Sequence, residues 1–413
     1  MKGFHYVKKT LCAEGVSVRI LAEKHGTPLF VYSRGYLINN FRNLSSAMAE
    51  VNPLICYSVK ANSNASVIKT FLREGAGVDV VSGGELYRAL RAGVKPSKVV
   101  FAGVGKTRDE IEYAVRRGIL FFTVESEEEL VRISDCAGRM RKKARVAIRV
   151  NPDVDPGTHR YITTGKKESK FGLDIARAEK AYKMAARMKN VEIAGLHIHI
   201  GSQILSGRPF AKALKRVKNL CADLKKTHKS FKYIDIGGGI GIQYQPDQEP
   251  LTPAEFAALL VPVLKRMGLS VVMEPGRYLV GNAGILVCSV QYVKKNHFRR
   301  FVVVDAGMND VVRPPLYDAY HEIVPVIDRN AKKVATDVVG PICETADFLA
   351  LDRAMPVVRE GDLLAVMSAG AYCSSMGSNY NSRLRPAEVM VNGKRSSLIR
   401  KRETFNDLIR NEM

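Results

Sequence analysis

Lys60 follows the apolar run Leu54-Ile-Cys-Tyr-Ser-Val59. An ammonium at the end of such a β-like run costs several kcal/mol to bury unless it is paired or neutralised. Desolvation favours the amine, and an amine condenses with an aldehyde to form a Schiff base. A surface lysine that snorkels into water is the plain alternative. Residue types that would complete aldehyde chemistry stand further along the chain. Gly237-Gly-Gly239 offers bare backbone that can approach a phosphate closely. His199, in Gly195-Leu-His-Ile-His-Ile-Gly-Ser-Gln203, offers an imidazole that can lie flat on an aromatic ring. Glu274, in Glu274-Pro-Gly-Arg277, offers a carboxylate. Beside a pyridine nitrogen, a carboxylate holds that nitrogen protonated, and a pyridinium is an electron sink. This favours decarboxylation over movement of an α-proton, for which a cationic partner suffices.

Each feature has an ordinary explanation when taken alone. Gly-rich turns are common structural devices, and Glu274 could cap a turn before Pro275. His197 and His199 lie two apart and could face one way along a strand to bind zinc, but no third ligand of matching spacing is evident. One of the two could equally be a core histidine satisfied by hydrogen bonds. The segments Arg313-Pro-Pro-Leu-Tyr317, Gly340-Pro-Ile-Cys-Glu-Thr-Ala-Asp347 and Gly370–Asn381 carry arginine, tyrosine and carboxylate. Such groups hold substrates with two carboxylates, or simply face solvent.

These residues fall at the ends of recurring elements. Strands are predicted at residues 29–32, 54–59, 78–81, 98–102, 120–124, 145–150, 193–200, 233–236 and 270–273. Helical patterns lie between them, with Thr107 and Ser126 as caps and Gly75, Gly93 and Gly118 where helices stop. Strands alternating with single helices imply parallel βαβ units, and about eight of them fit a closed (β/α)₈ barrel. An open doubly wound sheet remains possible on spacing alone. Barrel enzymes work at the C-terminal ends of strands, where Lys60, Asp79, Ser82, His197, His199, the triple glycine and Glu274 all fall. Beyond residue 277 the runs are β-rich and broken by Gly, Pro and Asp. The expected organisation is therefore an α/β barrel over 28–277, with 1–27 and 278–413 forming a mainly antiparallel β domain.

The 413 residues are 46% hydrophobic and 25% charged, which is ordinary for a globular protein. No stretch is long and apolar enough to span a membrane, and no export signal is visible at the N-terminus. Seven cysteines without a CxxC pair do not form a disulfide framework, so a reducing, cytoplasmic setting is expected. The formal charge of +23 suggests nucleic acid. The basic clusters are scattered, however, and lack interleaved aromatics, which fits solvated faces better.

With these motifs in order, the chain resembles the diaminopimelate decarboxylases, pyridoxal-phosphate enzymes of the alanine-racemase-like barrel class. The resemblance runs from Gly26-Thr-Pro-Leu-Phe-Val-Tyr32 to Arg385-Pro-Ala-Glu-Val389. Its markers are Tyr57-Ser-Val-Lys60, Thr164-Gly165 with Ser169-Lys-Phe-Gly172, His199-Ile-Gly-Ser-Gln203, Gly237-Gly-Gly239 and Glu274-Pro-Gly-Arg277. Later markers are Arg313-Pro-Pro-Leu-Tyr-Asp-Ala-Tyr-His321, Cys343-Glu344 and Ser378-Asn-Tyr-Asn381. The position after Tyr372, usually glycine in the family, is Cys373 here.

The resemblance implies that Lys60 holds pyridoxal 5'-phosphate covalently and that His199 stacks on its ring. Asp79 joins the cofactor-binding set, and Glu274 meets the ring nitrogen. Ser202, Gly237, Gly238, Gly239, Gly276 and the Arg277 backbone would hold the phosphate. The Arg277, Arg313 and Tyr317 side chains would bind the substrate's distal carboxylate and Glu344 its distal ammonium, with Tyr372 near both molecules. Cys343, the implied proton donor, and Glu344 would come from the partner subunit of a homodimer. The implied reaction converts meso-2,6-diaminopimelate to L-lysine and carbon dioxide, with no metal, nucleic acid or membrane involved. The alternative is a related barrel decarboxylase acting on another basic or carrier-linked amino acid.

Overall fold

A computed structural model describes residues 3–155, 157 and 170–413; the markers at Thr164, Gly165 and Ser169 lie outside the described residues. The chain divides into two compact units. One comprises Asn40–Ile242 with Glu249–Tyr278, the other Met1–Asn39, Gln243–Gln248 and Leu279–Met413.

The first unit is built on eight parallel strands: Leu54–Ser58, Gly77–Val80, Val99–Phe101, Phe121–Val124, Ala144–Arg149, Val191–His197, Tyr233–Asp235 and Ser270–Met273. The last pairs with the first through Val272 and Met273 against Leu54 and Ile55, which closes the barrel. Short apolar runs suit this arrangement because both faces of each strand are covered. Cys56, Val100, Phe121, Ala147, Ala194 and Val272 form one buried cluster, so the barrel is a packed core rather than a pore.

The connecting helices start and stop where local chemistry directs. Thr107 forms a reciprocal capping box with Glu110 at the start of Arg108–Arg117, and Gly118 ends that helix at φ 67°. Ser126 accepts from the Glu129 backbone at the start of Glu127–Arg139. Each capped helix returns the chain to the next strand in parallel, so the strand C-termini gather at one end.

The second unit carries a nine-stranded, mainly antiparallel sheet. Its central strand, Gly284–Lys295, pairs antiparallel with Arg300–Val304, Leu363–Val366 and Leu29–Ser33. Here the structure departs from the sequence reading, which puts residues 29–32 in the barrel. Leu29–Ser33 instead lies between Gly284–Lys295 and Ala387–Asn392, buried throughout. A short run that is apolar on both faces fits either kind of sheet, and periodicity cannot choose between them. The N-terminal residues join the same unit: Leu11, Val18 and Leu21 share a buried cluster with Leu29, Ile285 and Val389.

Candidate active site

In the barrel unit the sequence-predicted residues converge from the strand ends. Directly after Leu54–Ser58 a 3₁₀ turn, Val59–Ala61, sets Lys60 at the barrel's C-terminal end. Its Nζ donates to Asp79 Oδ2 at 2.8 Å, at the end of the neighbouring strand. Asp79 is fully buried, whereas the Lys60 side chain keeps 38% of its surface in contact with solvent. Lys60 is thus ion-paired and part-exposed. Burial and the nearby charge of Glu274 push the Asp79 carboxyl upward, against the pull of Lys60. Ser58 Oγ also donates to Asp79 Oδ2, at 2.5 Å.

Glu274 follows the last barrel strand and is 5% exposed. The turn holding it is fixed by its neighbours: Ser58 N–H donates to Pro275 O at 3.2 Å, and Glu274 N–H donates to Gly237 O at 2.8 Å. Burial alone would raise the carboxyl, but His197 and Lys60 outweigh it and hold Glu274 down at about 2. His197 Nε2 lies 3.3 Å from Glu274 Oε2. The other oxygen, Oε1, is buried and has no partner among the described residues. Asp235, fully buried nearby, moves the opposite way: burial, and then the Glu274 charge, raise it well above the carboxylate range. Two adjacent carboxyls are therefore driven in opposite directions, Glu274 down and Asp235 up.

The two histidines separate in role. The barrel strand ends at His197, and a register shift between Ile193 and Gly195 already breaks its alternation. His199 therefore lies beyond the strand, and the two-residue spacing does not give a zinc pair. Burial, then Arg149 and Lys60, hold the His199 imidazole neutral, well below its usual range. Its Nδ1 accepts from Gly238 N–H at 3.2 Å, which leaves the proton on Nε2. The donor atoms of His197, Asp235 and Glu274 do lie within 4.8 Å of one another.

The triple glycine is required by close approach. A Cβ on Gly238 would stand 2.2 Å from Glu274 O, and one on Gly239, at φ +103°, would stand 2.3 Å from Gly201 O. Of the three N–H groups, that of Gly237 donates to Asp235 Oδ1 at 2.9 Å and that of Gly238 to His199. Anion binding by backbone would therefore fall to Gly239 and to the buried Gly276–Arg277 turn. Arg277, 7% exposed, donates from Nη2 to Ser202 Oγ at 3.1 Å, linking two of the predicted phosphate ligands.

Arg149, at the end of the fifth barrel strand, is absent from the sequence-derived set. Its Nη1 donates to Glu125 Oε1 at 2.7 Å, while its buried Nη2 has no partner among the described residues. An arginine closing an apolar strand is the same kind of signal as Lys60, and the strand-end rule would have found it.

The second unit holds the remaining predicted residues. Arg313 and Tyr317 open and close the short helix Arg313–Tyr317, with Arg313 6% exposed. Cys343 and Glu344 are exposed: Cys343 N–H donates to Asn381 Oδ1 at 2.7 Å, and Tyr380 Oη donates to Glu344 Oε2 at 3.3 Å. Tyr372 adopts φ +58°, a left-handed conformation that is rare for a bulky residue and typical of functional loops.

A buried, ionised carboxylate with an open oxygen, a neutral imidazole and a lysine at adjoining strand ends suit a protonated aromatic heterocycle bearing an aldehyde and a phosphate. That is the donor set of a pyridoxal-phosphate barrel enzyme. The sequence matches the model of the pyridoxal-dependent decarboxylase, pyridoxal binding domain, over residues 34–281. It is 50% identical to the diaminopimelate decarboxylase of Aquifex aeolicus over 399 residues, 97% of this chain and 94% of that one. Identity to the Pseudomonas aeruginosa diaminopimelate decarboxylase is 46% over 412 residues, 100% and 99% of the two chains. A crystal structure of diaminopimelate decarboxylase from Helicobacter pylori complexed with L-lysine superposes with a TM-score of 0.92 at 40% identity, covering 95% of this chain and 98% of that one. The chain belongs to the diaminopimelate decarboxylase family of pyridoxal-dependent decarboxylases, and its cofactor is pyridoxal phosphate.

Proposed function

We propose that this protein decarboxylates meso-2,6-diaminopimelate to L-lysine and carbon dioxide, the closing step of lysine synthesis. One observation carries the chemistry: the buried Glu274 carboxylate, held at about 2, with Oε1 free to accept from a ring N–H. When bound, pyridoxal phosphate supplies an electron sink that accepts the electron pair released as carbon dioxide leaves. Lys60 would hold the cofactor through its amine, with Asp79 beside it, and neutral His199 would cover the ring face. Ser202, Gly237–Gly239, Gly276 and the Arg277 backbone would surround the phosphate.

The substrate's two ends differ in what must happen to them. The Arg277, Arg313 and Tyr317 side chains would fix the distal carboxylate, Glu344 the distal ammonium, and Tyr372 would flank both substrate and cofactor. Distal contacts of this kind orient the scissile bond and discriminate against substrates that lack the second carboxylate. Cys343 would then deliver its Sγ proton to the α-carbon. Its exposure, and that of Glu344, in a single protomer supports supply of both residues to the site of a partner in a homodimer.

The seven free cysteines support a reducing, cytoplasmic location. No helix among the described residues is long and apolar enough to cross a membrane. The test is the purified protein with its bound cofactor: carbon dioxide should be released from free meso-diaminopimelate, with L-lysine as the amino-acid product. Turnover confined to carrier-linked substrate, or to ornithine, would overturn the assignment.

A further inference from the structure

Arg313 is a buried cation that no carboxylate neutralises among the described residues. What holds it is an imidazole. Arg313 Nη1 lies 2.7 Å from His321 Nε2, and His321 Nδ1 lies 2.8 Å from the carbonyl oxygen of Met367. A guanidinium can only donate and a carbonyl can only accept, so both contacts fix the same tautomer: Nδ1 carries the proton and Nε2 offers its lone pair. His321 is fully buried. Tyr244 completes the setting, its ring 4.7 Å beneath the Arg313 guanidinium carbon and 5.5 Å from the His321 ring, edge to face. Arg353 Nη1 donates to the His321 carbonyl at 2.9 Å and secures the backbone.

We propose that His321, seated against Tyr244, is the positioning residue that aims Arg313 at the distal carboxylate of the substrate. The inference rests on the proposed function and adds the residue that sets its specificity. A carboxylate in the place of His321 would cancel the Arg313 charge and occupy its donors. A neutral imidazole fixes one nitrogen and leaves the positive charge uncompensated. The guanidinium Nε is buried without an acceptor among the described residues. A carboxylate docking on that side of the fork satisfies the donor and the charge together.

His321→Leu and His321→Gln, compared with the wild-type holoenzyme, test this. His321→Leu should raise KM for meso-diaminopimelate roughly tenfold or more, the scale of a lost hydrogen bond to a charged group, with kcat within about threefold. Inhibition by L-lysine should weaken in parallel, because the carboxylate that the product retains is the distal one that Arg313 meets. His321→Gln, whose amide oxygen can accept from Nη1, should recover most of the loss. An unchanged KM, or a raised KM with lysine inhibition untouched, overturns the proposal. Should His321→Leu not fold, ¹⁵N-histidine NMR of the wild-type protein decides: the neutral Nδ1–H form supports the role, and an Nε2–H or doubly protonated ring overturns it. That measurement needs no substrate. A wild-type protein inactive on meso-diaminopimelate with the Nδ1–H tautomer intact would therefore defeat the functional assignment and leave the anchor standing.

Discussion

The two units treat charge differently. In the barrel unit, the buried Lys106 and Arg149 and the part-exposed Lys60 are answered by carboxylates, Glu129 at 2.6 Å, Glu125 at 2.7 Å and Asp79 at 2.8 Å, while Arg277, assigned to the substrate, meets the Ser202 hydroxyl instead. Glu274 is answered by His197. In the β-rich unit, Arg313 is buried without a counter-ion among the described residues, and Glu344 stands exposed with only a tyrosine hydroxyl at hand. Internal compensation fixes protonation states before any ligand arrives, which is what a reacting centre needs. Uncompensated charge is what a recognition surface offers. Substitutions in the barrel unit should therefore strike turnover, and those in the β-rich unit should strike binding and assembly.

The largest effect is expected at Lys60. Lys60→Ala should lose the borohydride-trapped, covalently held cofactor and reduce turnover on the order of 10⁴-fold or more, as loss of a covalent centre does. A variant that still traps the cofactor would break the contrast at its strongest point. Next is Glu274→Gln, which keeps the shape and removes the charge. It should lower kcat roughly 10²–10³-fold, the scale of one preorganised electrostatic partner, with KM little changed. A loss confined to KM would move Glu274 to the recognition side.

Cys343 sharpens the contrast because it belongs to the β-rich unit and yet is assigned a chemical role. Cys343→Ala should lower kcat by roughly 10²–10⁴-fold, the range for a positioned proton donor. Mixed and re-equilibrated with Lys60→Ala protomers, it should regain about a quarter of wild-type activity. Half the dimers are then mixed, and each mixed dimer has one sound site of two if Cys343 acts across the interface. Activity that stays at the level of the single variants would place Cys343 and Lys60 in the same protomer's site.

Much of this was legible in the sequence because barrel chemistry sits at strand ends, and the end of an apolar run is visible without coordinates. Lys60, Asp79, Glu274 and the triple glycine all announce themselves in that way. The strand at 29–33 was misassigned because five residues buried on both faces carry no alternation to read. The partners of the site residues were hidden for another reason. His197 meets Glu274 across 77 residues, Arg149 meets Glu125 across 24, and Arg313 meets His321 only once Met367 supplies an acceptor. Barrel register and loop folding create these pairings, and one-dimensional spacing does not encode them. The zinc alternative for His197 and His199 rested on strand alternation, which fails where the strand stops at His197.

The smallest effect on turnover is expected at Asp235, and it tests how barrel charges compensate one another. If Asp235 keeps its proton because burial and Glu274 oppose its ionisation, Asn is nearly isosteric with the form already present. Asp235→Asn should leave kcat/KM within about threefold at neutral pH. Its signature lies in stability. Glu274 has a folded value of about 2, below the 4.5 of the free group, so its contribution is present above pH 4.5 and is lost as pH falls towards 2. Asp235 has the opposite sign. Its folded value lies above the 3.8 of the free group, so above pH 3.8 the native state binds a proton that the unfolded chain has released. Wild-type stability then falls with rising pH by about 1.4 kcal/mol per unit from this group, until its folded value is reached. Urea denaturation of both proteins across that range should show Asp235→Asn gaining on wild type as pH rises. A constant difference between the two curves would mean that Asp235 is ionised in the native protein, and that Glu274 is held by something other than the division of charge between them.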